Sequence, residues 1–83
     1  MKLDLLYFAW VRERIGKDAE TLELAAGTVA EALDAMRALG DNYAWALAAP
    51  DRLRFALDQE FVDIDAPLRD GAELAIFPPV TGG

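Results

Sequence analysis

A chain of 83 residues with neither cysteine nor histidine has to hold itself together by burying apolar surface. No disulfide can staple it, and the usual zinc ligand sets are missing. A domain of this size hides only about 60–65% of the surface that its unfolded chain exposes, so the core must be economical. The composition can supply one, since 54% of the residues are hydrophobic. One domain is the expectation, spanning 1–77 and followed by an extended tail at 78–83. The chain contains no internal repeat, low-complexity tract or linker.

The apolar pattern orders the elements. Leu3 to Ala9 reads as a strand with Leu3, Leu5 and Tyr7 on one face and Asp4, Leu6 and Phe8 on the other. Apolar residues on both faces suggest a central strand, or one whose outer face meets a partner. Val11 to Gly16 reads as a loop or short helical turn closed by glycine, with Trp10 in the loop before it, where packing and contact are both open. Thr21 to Leu24 is a second short strand. Thr28-Val29-Ala30-Glu31 is a capping box, and Val29, Ala32, Leu33, Met36 and Leu39 follow at helical spacing up to Gly40, placed where a helix-ending glycine belongs. Asp41 to Ala49 reads as a second short helix ended by Pro50, with Tyr43 and Trp45 expected in the core alongside Met36 and Tyr7. Arg52–Leu57 and Glu60–Ile64 are strands around an Asp58-Gln59 turn, and Ala72–Phe77 is the last strand. This order fits an α+β ubiquitin-like β-grasp, a mixed sheet packed on one main helix with a flexible Gly-Gly tail; another α+β packing stays open.

Charge narrows the partners. Fifteen acidic residues against eight basic ones leave a formal charge of −7. That argues against nucleic acid and anionic membrane, and for partners with a basic surface. No apolar run reaches the length of a membrane span, and Asp4 interrupts any export-signal core, so a cytoplasmic location is the expectation.

Catalytic constellations come out empty. There is no thiol, no imidazole relay and no glycine-rich phosphate loop, and the acidic stretch Asp63, Asp65, Asp70, Glu73 has Pro67 and Leu68 where an EF-hand needs a ligand and a glycine. No metal or bound cofactor is expected, and alone the chain is not an enzyme. The unusual feature is the end, Phe77-Pro78-Pro79-Val80-Thr81-Gly82-Gly83. With 6 glycines in 83 residues, two terminal glycines arise by composition roughly once in two hundred chains. Pro78 and Pro79 stiffen the exit from the last strand, and the reach from Pro78 to Gly83 is at most about 20 Å. Gly82 and Gly83, lacking Cβ atoms, can thread a narrow channel, and Gly83 ends in an unbranched carboxylate that an activating enzyme could join to AMP. Leu6, Phe8 and Phe77 fall on the helix-free face, and Phe61, out of phase with Val62 and Ile64, joins them. The residues alone leave open whether this is a partner surface or ordinary half-buried strand.

Phe8-Ala9, Arg12-Glu13, Gly16, the run Pro67-Leu68-Arg69-Asp70-Gly71, Glu73-Leu74 and the closing Phe77 to Gly83 together resemble the small sulfur-carrier subunits of molybdopterin synthase. The likeness covers essentially the whole chain and departs at Asp58, where members often carry asparagine. The resemblance implies that a ubiquitin-activating-type adenylyltransferase adenylates Gly83, and that a sulfur donor converts the transient acyl-adenylate to a thiocarboxylate (1-thioglycine). The tail residues Pro78, Pro79, Val80, Thr81 and Gly82 would then insert into the large synthase subunit, where sulfur passes to cyclic pyranopterin monophosphate to build the molybdopterin dithiolene. It also favours the docking reading of Leu6, Phe8, Phe61 and Phe77. A carrier for thiamine or another metabolite, and a ubiquitin-like protein modifier, are the alternatives.

Overall fold

The computed structural model describes residues 1–79; the expectations for Val80, Thr81, Gly82 and Gly83 lie outside the described residues. The order is β1 (Lys2–Tyr7), α1 (Ala9–Ile15), β2 (Ala19–Glu23), α2 (Val29–Arg37), α3 (Asp41–Ala46), a 3-10 turn (Pro50–Arg52), β3 (Arg54–Leu57), β4 (Glu60–Val62) and β5 (Ala72–Phe77). The strands form one mixed sheet in the order β2-β1-β5-β3-β4, with β1 and β5 parallel and every other pair antiparallel.

Strand parity decides the two faces. Leu3, Leu5 and Tyr7 lie beside Ala72, Leu74 and Ile76 in the β1–β5 register, and all six are buried. On that face α2 buries Val29, Ala32, Leu33 and Met36, while α1 adds Val11 and Ile15. Each fully buried leucine stabilises by about 1.5–3 kcal/mol relative to an exposed one. No helix among the described residues is long and apolar enough to cross a membrane.

The capping box forms, shifted by one residue. Thr28 Oγ1 accepts from the Glu31 amide at 3.2 Å, but the Glu31 carboxylate accepts from Gly27 N–H at 2.8 Å rather than from the cap residue itself. The first helix amides, of Val29 and Ala30, donate to the carbonyls of Ala66 and Ile64, which docks the 63–66 segment on the helix start.

Elsewhere the local reading needs correction. Residues 9–15 form a two-turn helix, so the helical alternative for 11–16 holds but begins earlier and takes in Trp10, because Val11 and Ile15 give it a buried stripe. It closes on Gly16 at φ 95°, whose amide donates to Arg12 O at 2.8 Å. Gly40 does not cap α2: that helix ends through right-handed Ala38, and Gly40 at φ 166° is extended backbone leading into α3. Leu39 is consequently exposed. The second helix stops at Ala46, short of Ala49. Trp45 is 59% exposed rather than in the core, since Ala46 and Leu47 take the inward positions of that short helix.

Tyr43 is half-buried with a polar task. Its hydroxyl donates to Glu20 Oε2 at 2.8 Å, beside the Tyr7 hydroxyl at 2.7 Å, while Lys17 Nζ reaches Glu20 Oε1 at 3.2 Å. Burial pushes the Glu20 carboxyl up, but the three donors outweigh it and hold the group below the usual carboxylate range. Burial first, then the bond to Glu20, raises the Tyr7 phenol above its ordinary value.

Leu74→Ala removes a fully buried side chain from the middle of the parallel pair and should cost about 2–5 kcal/mol, read as a lower denaturant midpoint.

Candidate functional site

Among the described residues no helix covers the other face of the sheet. Register places Leu6, Ala75, Ala56 and Phe61 in one row across β1, β5, β3 and β4. The two alanines make a shallow floor, and Leu6 and Phe61 stand at its sides. Phe77, two residues beyond Ala75, joins Phe8 edge to face at 6.4 Å between ring centroids and Phe61 at 5.9 Å. Such pairs are worth about 0.5–1.5 kcal/mol beyond their area. Phe8 is 47% exposed and Phe61 82%. The resulting groove of about 800 Å³ is also lined by Pro78 and Pro79, so the apolar face runs to the base of the tail.

The groove therefore gathers Leu6, Phe8, Phe61 and Phe77, the residues grouped from parity. It also contains residues that sequence reasoning missed. Ala56 and Ala75 matter by being small, which only cross-strand register reveals. Ala9 sits at φ 52°, a left-handed conformation that costs a non-glycine residue about 1–2 kcal/mol. At this bend the chain leaves the sheet, with Phe8 on the open face and Trp10 packed against the helical core.

The hairpin carrying Phe61 depends on its turn. Asp58 and Gln59 have φ of 50° and 72°, the left-handed pair of a tight two-residue hairpin loop. Asp58 accepts from Glu73 N–H at 3.0 Å, donates its own amide to Glu73 O at 2.9 Å, and pairs with Arg69. An asparagine carbonyl could make the first of these bonds, so the departure at Asp58 leaves the turn intact and adds an ion pair. The Glu73 amide, followed by the Arg69 charge, holds the Asp58 carboxyl below its ordinary value.

The parallel central pair, the single main helix and the open aromatic face define a ubiquitin-like β-grasp. The chain belongs to the ThiS family, whose match spans residues 5–83. It is 45% identical to the molybdopterin synthase sulfur carrier subunit of Escherichia coli K12, over 98% of this chain and 99% of that one. It is 38% identical to the subunit of the same name from Haemophilus influenzae, with the same coverage. Among solved structures it resembles SAMP1 (small archaeal modifier protein 1) of Haloferax volcanii, at 26% identity, full coverage of both chains and TM-score 0.76. The complex of subunits 1 and 2 of molybdopterin-converting factor from Helicobacter pylori shares the fold at 20% identity, TM-score 0.68 and full coverage of both chains.

Because the folded Asp58 pKa is depressed, its stabilisation is complete above the unfolded value of about 3.9 and is lost as pH falls through the folded one. Between about pH 7 and pH 3 the Asp58→Asn variant should lose less stability than the parent chain, measured by denaturant midpoints at both pH values.

Proposed function

We propose that this chain is the sulfur-carrier subunit of a molybdopterin synthase and works in the cytoplasm. The observation that carries the reading is the 45% identity, end to end, with a protein of that name. The open aromatic face running into Pro78 and Pro79 supports it, because a partner that takes in the tail also meets that face.

The chemistry belongs to the Gly83 carboxylate, which is a poor electrophile until activated. A ubiquitin-activating-type adenylyltransferase lets it attack the α-phosphate of ATP, expelling pyrophosphate to give the acyl-adenylate, and a donor of sulfide-level sulfur then displaces AMP to leave a thiocarboxylate. Nucleotide thus enters only through the activating partner. The charged carrier docks its aromatic face on the large subunit, the tail enters that subunit's site, and sulfur passes to cyclic pyranopterin monophosphate. Two such transfers complete the dithiolene. With a net charge of −7, this chain repels an anionic pterin phosphate, so the substrate pocket belongs to the large subunit.

A second reading, a ubiquitin-like protein modifier joined to lysines through Gly83, draws support from the likeness to SAMP1.

A thiol-directed alkylating reagent separates the two. The chain has no cysteine, so an adduct mapped to Gly83 by mass spectrometry, after incubation with the activating enzyme and sulfur donor, is the expected result. Deleting Gly83 should abolish both the adduct and molybdopterin formation; molybdopterin made without Gly83 sinks the proposal, and lysine-linked conjugates favour the modifier.

Phe61→Ala should weaken binding to the matched large subunit by roughly tenfold or more. It should shift folding stability by less than about 1 kcal/mol, because the ring is largely exposed. Titration and thermal unfolding of the same variant test both halves.

A further inference from the structure

A second surface cluster lies beyond the aromatic groove. Trp10 and Arg14 are one turn apart on α1, and Trp45 reaches them from α3. The Arg14 guanidinium sits 4.4 Å from the Trp10 ring centroid and 4.6 Å from that of Trp45. Cation–π contact thus engages the guanidinium with both indole rings, and its N–H groups remain available as donors. Among the described residues those groups have no hydrogen-bond or ion-pair partner, and the same holds for exposed Arg52. Trp10, Arg14, Trp45 and Arg52 line one cleft of about 390 Å³. Asp51 lines the adjoining hollow but pairs with neither arginine.

We propose that this cleft is a second docking point for the large subunit, receiving an aspartate or glutamate side chain from the rim of the channel that takes the tail. The proposal rests on the sulfur-carrier reading above. Three observations support it. Arg14 already has an indole ring against it from each of two helices, so what it still offers is its N–H donors, and a guanidinium fork matches a carboxylate in bidentate geometry. Two cations with no carboxylate partner among the described residues line one cleft on a chain whose formal charge is −7. Finally, Pro78 and Pro79 line both the aromatic groove and the hollow that shares Trp10 and Arg52 with the cleft. A subunit that takes in the tail therefore passes over this cleft as well as the phenylalanines.

The sign of the charge effect makes the test decisive. Removing two arginines makes an acidic chain more acidic, so attraction to a basic partner through net charge alone would tighten. Local pairing predicts the opposite. Arg14→Met keeps a flexible, polarizable side chain against the two rings and removes the donors, and Arg52→Gln removes the second charge. The double variant of the full chain, titrated against the matched large subunit, should bind about tenfold or more weakly, with its thermal midpoint retained. Unchanged or tighter binding overturns the proposal while leaving the sulfur-carrier reading in place. Failure of the parent chain to bind that subunit overturns both. Should the double variant unfold, Arg52→Gln alone changes an exposed side chain without bonds, and a loss of several-fold is then expected, no loss being fatal.

Discussion

The parallel pairing of β1 with β5 is the contact on which the rest of the molecule depends. It sets the first and last strands of the described chain side by side, joining Leu3–Tyr7 to Ala72–Ile76 in register. A parallel pair cannot be closed by a tight turn, so every other element has to be accommodated in the crossover between the two strands. The same pairing brings Phe8 and Phe77, where the two strands end, into edge-to-face contact. Core and open face are thus two sides of one register: Leu5 beside Leu74 faces the helices, and Leu6 beside Ala75 faces away from them.

The open face is kept in shape by local devices that carry strain. Ala9 and the Asp58-Gln59 turn all have positive φ without glycine. At the turn, the bonds between Asp58, Glu73 and Arg69 offset the cost, and they tie the β3–β4 hairpin to β5. Ala9 has no such side-chain compensation, and its conformation is held by the burial of Tyr7 before it and Val11 after it. Strain of this kind persists where the surrounding packing over-determines it. Here it presents one aromatic ring on each side of the bend.

Much of the fold is legible in the sequence because its signals are local. The alternation in β1 and β5, the Thr28–Glu31 cap and the two-residue turn at Asp58-Gln59 each follow from backbone chemistry within a few residues. Helix α1 is legible only as a possible turn ended by Gly16, because its apolar stripe is only Val11 and Ile15, too short for periodicity to stand out. Trp45 misleads because a large aromatic in a six-residue helix reads as core until neighbouring Ala46 and Leu47 are seen to fill the inward positions.

The sequence by itself determined the α+β class of fold and the grouping of Leu6, Phe8, Phe61 and Phe77 on one face, since these rest on side-chain parity and residue type. Only the tertiary structure decided that Ala56 and Ala75 form the floor between those side chains, and that Arg14 meets the rings of both Trp10 and Trp45. The physical reason is that both arrangements join elements distant in sequence. Strand register and helix packing set such contacts, and these depend on how the whole core fills rather than on any local pattern.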